Sequence, residues 1–174
     1  MLGHDSSIQL TPITEAEARA VALWRYPEPY DFYDGRDSEV EVMLDPANGY
    51  FAVHADREFV GYVCVGPDAL VAGQQSAPDV DDVGVGFRPD LTGRSLASSW
   101  LPAVLDALAP HLTAPLQRVV IAEWNQRSQA VARACGFGEP VTHSNDAGDW
   151  IVMTRRVRAD DGPDSRPPQA LRER

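Results

Sequence analysis

Apolar and polar residues alternate with period two just ahead of the middle of the chain, over residues 82–87. That alternation predicts a β-strand with one apolar face, and Pro89 ends the strand because proline lacks a backbone donor. A polar turn follows at 90–95, and apolar residues then recur at steps of three and four over 96–108, which predicts a helix. The centre of the chain is therefore a strand, a tight turn and a helix. The free amides at the start of such a helix attract a phosphate group.

The same two periods divide the rest of the chain into shorter elements. Further strands are predicted at 8–12, 50–55, 58–65, 118–123 and 149–155, and further helices at 14–24, 39–44 and 125–135. Thr14 and Glu17 have the spacing of a capping box, which marks the start of the first helix. Segments 67–79 and 141–148 are rich in turn residues and are expected to be connections.

Composition indicates one cytoplasmic domain. We expect that domain over residues 1–157, followed by a disordered tail at 158–174 that has almost no large apolar residues. The chain contains no apolar run long enough to span a membrane, and its N-terminus lacks the apolar region of a signal peptide. Cys64 and Cys135 are too few for a disulfide framework, which favours a reducing cytoplasm.

The formal net charge is −11, and all fifteen basic residues are arginine. Such an acidic chain is expected to repel nucleic acid and anionic membranes. It would attract a cationic substrate such as an amine, although surface acids also serve solubility alone. The four histidines have no ligand-like spacing, so no metal site is expected. Oligomeric state is left open, with a homodimer as one option.

Two motifs resemble those of the Gcn5-related N-acetyltransferase (GNAT) family. The sequence FRP at 87–89 resembles the V-x-P end of the family's central strand, and TGRSLA at 92–97 occupies the place of its R/Q-x-x-G-x-G/A turn. Asn125, Gly136 and Phe137 match N-x-x-A-x-x-x-Y-x-x-x-G-F at the right spacing, which is the most specific feature in the chain. The resemblance spans residues 8–156.

The resemblance implies an α/β (α+β) fold with a mixed, mostly antiparallel sheet of six to seven strands and helices on both faces. Its parallel strands, here 81–88 and 118–123, would splay apart so that the pantetheine arm of acetyl-CoA fits between them. The implied activity is direct transfer of acetyl from acetyl-CoA to a primary amine, on either a small molecule or a protein. The residues implied in cofactor binding are Phe87, Arg88, Pro89, Thr92, Gly93, Arg94, Ser95, Leu96, Ala97, Asn125 and Ser128.

Four positions depart from the family pattern, and the mildest is Ser128 in place of an alanine. Thr92 and Ser95 replace an Arg or Gln and a glycine of the turn, and Ala132 replaces a tyrosine that protonates the leaving CoA thiolate in many members. An acyl-CoA-binding module without catalysis is therefore an alternative, and an unrelated α/β domain that binds another phosphorylated ligand is a third. A dinucleotide fingerprint is disfavoured, because Gly84 and Gly86 lie inside the strand and the third glycine is absent.

The catalytic candidates are acids and tyrosines near the implied splay. A base is useful because an amine must be neutral to attack, and Glu123 and Asp82 are the candidates. Tyr33, with Tyr26 and Tyr30, is a candidate acid. These tyrosines belong to the aromatic segment 24–33, which is either a substrate slot or a hydrophobic latch on the sheet.

Overall fold

The computed structural model describes residues 2–157, which contain seven strands and four α-helices. The strands are β1 (Ile8–Pro12), β2 (Tyr50–Ala55), β3 (Glu58–Val65), β4 (Val80–Phe87), β5 (Leu116–Ala122), β6 (Gly138–Asn145) and β7 (Gly148–Arg156). The helices are α1 (Glu15–Ala22), α2 (Glu39–Leu44), α3 (Leu96–Leu108) and α4 (Gln126–Ala134). The sheet order is β1-β2-β3-β4-β5-β7-β6, and every junction is antiparallel except β4–β5. The predicted fold class is confirmed.

Two apolar clusters form against this sheet. The larger one joins the apolar stripe of α3 to side chains of β2, β3, β4 and β7, with Trp100, Leu105 and Leu108 almost fully buried. The smaller one joins α1 and α2 to Phe59 and Tyr62 of β3. The helical spacing of apolar residues therefore correctly predicted helices that each direct one apolar stripe toward the sheet.

The parallel strands β4 and β5 separate along their length. They pair over only three positions, from Val80 with Leu116 to Asp82 with Arg118. Beyond that point β4 continues its ladder with β3 and β5 continues its ladder with β7. The sheet therefore opens between the carboxyl ends of β4 and β5, as the resemblance implied.

The chain differs from the sequence-based expectation at its last hairpin. Segment 141–148 was expected to be a turn-rich connection, but residues 138–145 form β6, the edge strand that pairs with β7. Six of its eight residues are exposed, so this strand has no buried face and leaves no apolar alternation in the sequence. The tail predicted at 158–174 lies outside the described residues.

The first helix begins where its sequence predicts. The Thr14 hydroxyl accepts a hydrogen bond from the Glu17 N–H, and the Glu17 carboxylate accepts one from the Thr14 N–H at 2.9 Å. This reciprocal capping box satisfies two of the otherwise unpaired donors of the helix. The helix ends at Ala22, two residues earlier than the predicted 14–24.

Candidate active site

An open cleft of about 250 Å³ lies where β4 and β5 diverge. One wall is β4 from Val83 to Phe87, and the other is β5 from Val119 to Ile121. Tyrosines from β3 and from the segment after α1 contribute to the lining, and so do residues of α3 and α4. The cleft is therefore at the carboxyl ends of parallel strands, where open α/β sheets commonly bind ligands.

Main-chain groups of β4 face this opening. The Gly66 N–H donates to Asp82 O and the Arg88 N–H donates to Val60 O, which fixes the phase of the β3–β4 ladder. In an antiparallel ladder successive residues direct their polar groups alternately toward and away from the partner strand. The N–H and C=O groups of Val85 and Phe87 therefore point away from β3, toward the gap left by β5. The resemblance implied Phe87, whereas Val85 was missed because an apolar strand residue carries no sign of this role.

The turn between β4 and α3 forms one end of the cleft. Thr92, Gly93 and Ala97 line it, whereas the Leu96 side chain is buried in the core. Gly93 has φ +75°, a left-handed conformation that favours glycine. Ser95 precedes α3 without a side-chain hydrogen bond to the helix, and the first turn of α3 contains no acidic residue. The first amides of α3 are thus suited to an anion.

The arginine that lines the cleft is Arg127, and it is neither of the two arginines predicted from the turn, Arg88 and Arg94. The Arg88 guanidinium pairs with Glu58 and Asp90, and the Asp90 hydrogen bond raises the pKa of this arginine. Arg88 and Arg94 are not among the residues that line the cleft, and neither are Pro89 and Ser95. Arg127 does line it, and a methyl group on Gly93 would lie 3.9 Å from its Nη1. Sequence reasoning missed Arg127, because nothing in the sequence except its position two residues after Asn125 connected it with the cleft.

The start of α4 supplies the opposite wall. Asn125 caps the helix through a bond from the Ser128 N–H to its Oδ1 at 3.1 Å, and its Nδ2 donates to the Tyr33 hydroxyl at 3.2 Å. Asn125 and Ser128 both line the cleft, and the cofactor contacts that the resemblance implies for them stay a prediction. Ala132 lines it as well, so the position of the family tyrosine faces the cleft but carries only a methyl group.

Four phenols nevertheless line the cleft. They are Tyr26, Tyr30, Tyr33 and Tyr62. Burial raises the pKa of Tyr26, Tyr33 and Tyr62, so these three phenols stay protonated at neutral pH. The Tyr26 hydroxyl donates to Phe87 O at 2.8 Å, so this main-chain carbonyl of β4 is already hydrogen-bonded.

Tyr62 was missed by sequence reasoning, although Gly86 marks its place. A methyl group on Gly86 would lie 2.4 Å from Cε1 of the Tyr62 ring, so only glycine leaves room for that ring. Gly84 has the same relation to Cys64, whose Sγ would lie 2.8 Å from an added Cβ. The two glycines that imitate a dinucleotide fingerprint therefore serve close packing of β4 against β3 side chains.

The two acids predicted as bases lie away from the cleft lining. Asp82 is 3% exposed and pairs with Arg118 at 2.5 Å, at the closed end where β4 and β5 are still paired. That arrangement argues for a structural role and against the predicted base. Glu123 follows β5 with an exposed side chain, while its N–H donates to Asp149 O.

The described residues hold no other obvious chemistry. Within residues 2–157, no group of three His, Cys, Asp or Glu side chains is placed to hold a metal ion. No helix in the same range has the length and apolar character needed to cross a bilayer. Both cysteines are free thiols, and burial raises the pKa of Cys64 to about 12, so it is a poor nucleophile.

Comparison with known families gives one match. A family model described as an acetyltransferase (GNAT) domain matches residues 7–138. A comparison with curated proteins gives no significant match.

Solved structures share the fold at low sequence identity. The aminoglycoside acetyltransferase AAC(6')-Ib in complex with ribostamycin and coenzyme A superposes with a TM-score of 0.67 at 14% identity, covering 88% of this chain and 99% of that chain. A variant of the spermidine N-acetyltransferase SpeG from Vibrio cholerae gives 0.62 at 16% identity, covering 86% and 93%. The ribosomal alpha-N-protein acetyltransferase RimL in complex with coenzyme A gives 0.61 at 13% identity, covering 90% and 97%.

Proposed function

The chain belongs to the GNAT acetyltransferase family, and from that premise we propose that it transfers acetyl directly from acetyl-CoA to a primary amine. The observation that carries the proposal is the opening between β4 and β5, which ends at the uncapped start of α3. Related folds that bind coenzyme A or acetyl-CoA support the same cofactor here.

The cofactor would lie along β4. The N–H and C=O groups of Val85 and the N–H of Phe87 are suited to pair with the amides of pantetheine in the manner of an added strand, while Phe87 O already accepts from Tyr26. The diphosphate would sit on the amides of residues 92–97, with Arg127 as the cation beside Gly93. A β4 amide directed at the thioester carbonyl would stabilise the developing oxyanion by about 3 kcal/mol.

The transfer needs one proton removed and one supplied. The amine nitrogen attacks the thioester carbon, the carbon–sulfur bond breaks, the amine gives up a proton, and the CoA thiolate takes one. Tyr33 is the proposed acid, because its phenol lies in the cleft and is held by Asn125. Glu123 is the proposed base and would act through water, since its side chain does not line the cleft.

The Tyr33 role is tested by moving the phenol. Acetyl transfer is measured as free thiol released from acetyl-CoA with a panel of amines. We expect Tyr33→Phe to lower kcat about 100-fold, with little change in the dissociation constant for CoA. Ala132→Tyr in the Tyr33→Phe background should restore part of that loss, because position 132 also faces the cleft. An unchanged kcat in Tyr33→Phe would exclude this tyrosine as the acid.

The alternative function is an acyl-CoA-binding module, which the methyl group at Ala132 favours. Binding and transfer separate the two functions. CoA should raise the melting temperature in either case, since it binds the native state, whereas only the enzyme releases thiol with an amine. Arg127→Gln should weaken CoA binding, with Arg133→Gln on the same helix as the matched control. Failure of CoA to stabilise the wild-type protein would contradict both functions.

A further inference from the structure

A cluster of aromatic side chains extends from the cleft to the protein surface. This aromatic cluster consists of Tyr30, Phe32, Tyr33, Trp124 and Trp150, with neighbouring ring centroids 5.2–6.2 Å apart. Three separate segments contribute to it: a short 3₁₀ helix at Tyr30–Tyr33, the residues after β5, and the start of β7. Tyr30 and Tyr33 also line the cleft, so the cluster and the cleft are continuous.

Packing alone does not explain the cluster. Trp150 is buried, but Phe32, Tyr33 and Trp124 are 47%, 38% and 40% exposed. Among residues 2–157, six large apolar side chains are at least 36% exposed, and all the aromatic ones belong to this cluster. Isolated exposed apolar residues need no explanation, whereas a contiguous exposed patch marks a binding surface.

The charges around the cluster favour a cation. Two of its segments carry an exposed acid next to an exposed aromatic residue in sequence, Asp31 before Phe32 and Glu123 before Trp124. The third acid, Asp149 before Trp150, accepts a hydrogen bond from Ser144 on β6. The Arg127 guanidinium stacks over the Tyr30 ring at 4.7 Å and lies close to Gly93 on the cofactor side. Arg127 therefore supplies positive charge where a diphosphate would sit, and the segments that carry Phe32 and Trp124 also carry the exposed acids Asp31 and Glu123. Aromatic faces themselves also attract ammonium groups.

We propose that the acetyl acceptor is an aromatic primary amine, with an aryl ring carried on a short alkyl chain. Its ring stacks on Trp124 and Phe32, and its amino group enters the cleft beside Tyr33. The Trp124 and Tyr33 ring centroids are 5.7 Å apart, so a ligand ring held by Trp124 is one ring spacing from the cleft. This inference rests on the proposed function and adds the chemical class of the acceptor.

Matched amines test the inference. Phenylethylamine and cyclohexylethylamine have the same carbon skeleton and amine, and only the first has a π face. Spermidine and kanamycin represent acceptors without an aryl ring. We expect kcat/KM for phenylethylamine to exceed that for cyclohexylethylamine roughly threefold to tenfold, the range of an aromatic pair beyond its buried area.

A ring deletion locates the effect. Trp124→Leu keeps an apolar side chain but removes the ring, and should raise KM for phenylethylamine several-fold while leaving KM for acetyl-CoA and for cyclohexylethylamine unchanged. Leu23→Ala is the control, because Leu23 is 72% exposed and does not line the cleft. Equal use of the two matched amines, a preference for spermidine or kanamycin, or no selective effect of Trp124→Leu would overturn the inference and leave the proposed function standing.

A binding measurement tests the inference even if the protein acetylates no amine. Calorimetry of phenylethylamine with CoA-loaded protein should then still show binding that Trp124→Leu weakens, which would uphold the aromatic-amine site in a non-catalytic module. No binding under those conditions would overturn it. If CoA itself does not bind, the proposed function fails, and the acceptor class fails with it.

Discussion

Replacing Asp82 by asparagine should destabilise the protein without removing a catalytic base. The Asp82 carboxylate is 3% exposed and lies 2.5 Å from Nε of Arg118, whose side chain is 16% exposed. Removing one charge of a buried pair leaves the other uncompensated, which costs about 3–5 kcal/mol. Asparagine keeps a hydrogen-bond acceptor, and Arg118 keeps its bond to Gln75 O at 2.8 Å. The lower end of that range, about 3 kcal/mol, is therefore expected.

Thermal and urea unfolding measure this loss. A domain of this size loses about 2–4 °C of melting temperature per kcal/mol, so Asp82→Asn should melt roughly 6–12 °C lower. The matched control is Asp82→Leu with Arg118→Met, which replaces the pair by apolar side chains. That double variant should recover much of the stability, since the cost of burying the two charges disappears with them. A double-mutant cycle with each single variant gives the coupling between the two side chains.

The pH dependence of acetyl transfer separates structure from catalysis. Below its melting temperature, Asp82→Asn should keep the shape of the kcat/KM profile of the wild-type protein, because Asp82 lies at the paired end of the strands. A structural role for Asp82 is refuted if the variant melts within about 1 °C of wild type yet loses activity about 100-fold, the effect expected for a lost general base.

Two further predictions concern packing and pH. Gly86→Ala should cost about 1–3 kcal/mol in urea unfolding, because the new methyl group would lie 2.4 Å from the buried Tyr62 ring; an unchanged midpoint would show that the ring moves freely. Burial raises the pKa of Glu17, but hydrogen bonds with Thr14 and His54 outweigh it and leave that pKa below its usual value. A depressed carboxylate pKa stabilises the fold at neutral pH, and the gain is lost as pH falls through that pKa. The difference in unfolding free energy between wild type and Glu17→Gln should therefore shrink below about pH 4, and a difference independent of pH would contradict the linkage.

Elements with a strong period could be predicted from the sequence. The apolar stripe of α3 buries a continuous surface, so burial itself dictates the spacing of its apolar residues. The β-branched run of β5 has the composition typical of a strand, although its residues are only half-buried. The capping box at Thr14 is equally local, because its two hydrogen bonds join residues three apart. The edge strand β6 could not be predicted this way. Its pairing with β7 uses main-chain groups, and its side chains are mostly in water.

The cofactor side of the candidate site was only partly predictable. Gly93, Asn125 and Ser128 were inferred from motifs in which spacing along one turn or helix determines the contact. Arg127 and Val85 reach the same cleft because of tertiary arrangement: one leans from α4 across to Gly93, and the other is selected by the phase of the β3–β4 ladder. Neither relation leaves a mark in the sequence near those residues. The buried ion pair of Asp82 is a similar case, because its partner Arg118 is 36 residues away along the chain.

The missing tyrosine at position 132 shows why a motif and a site are different things. The motif specifies one tyrosine on one helix, whereas the cleft is lined by every phenol that the fold brings there. Tyr26 and Tyr33 line it although their segment lies about a hundred residues earlier in the chain. Tyr33 is tied to α4 through Asn125, which caps that helix, so the substituted helix still positions a phenol that it does not carry. Because a tyrosine phenol is protonated at neutral pH, the chemistry expected of the lost tyrosine is available from a different element. The substitution at Ala132 therefore changes where the acid would come from, and it is compatible with retained catalysis.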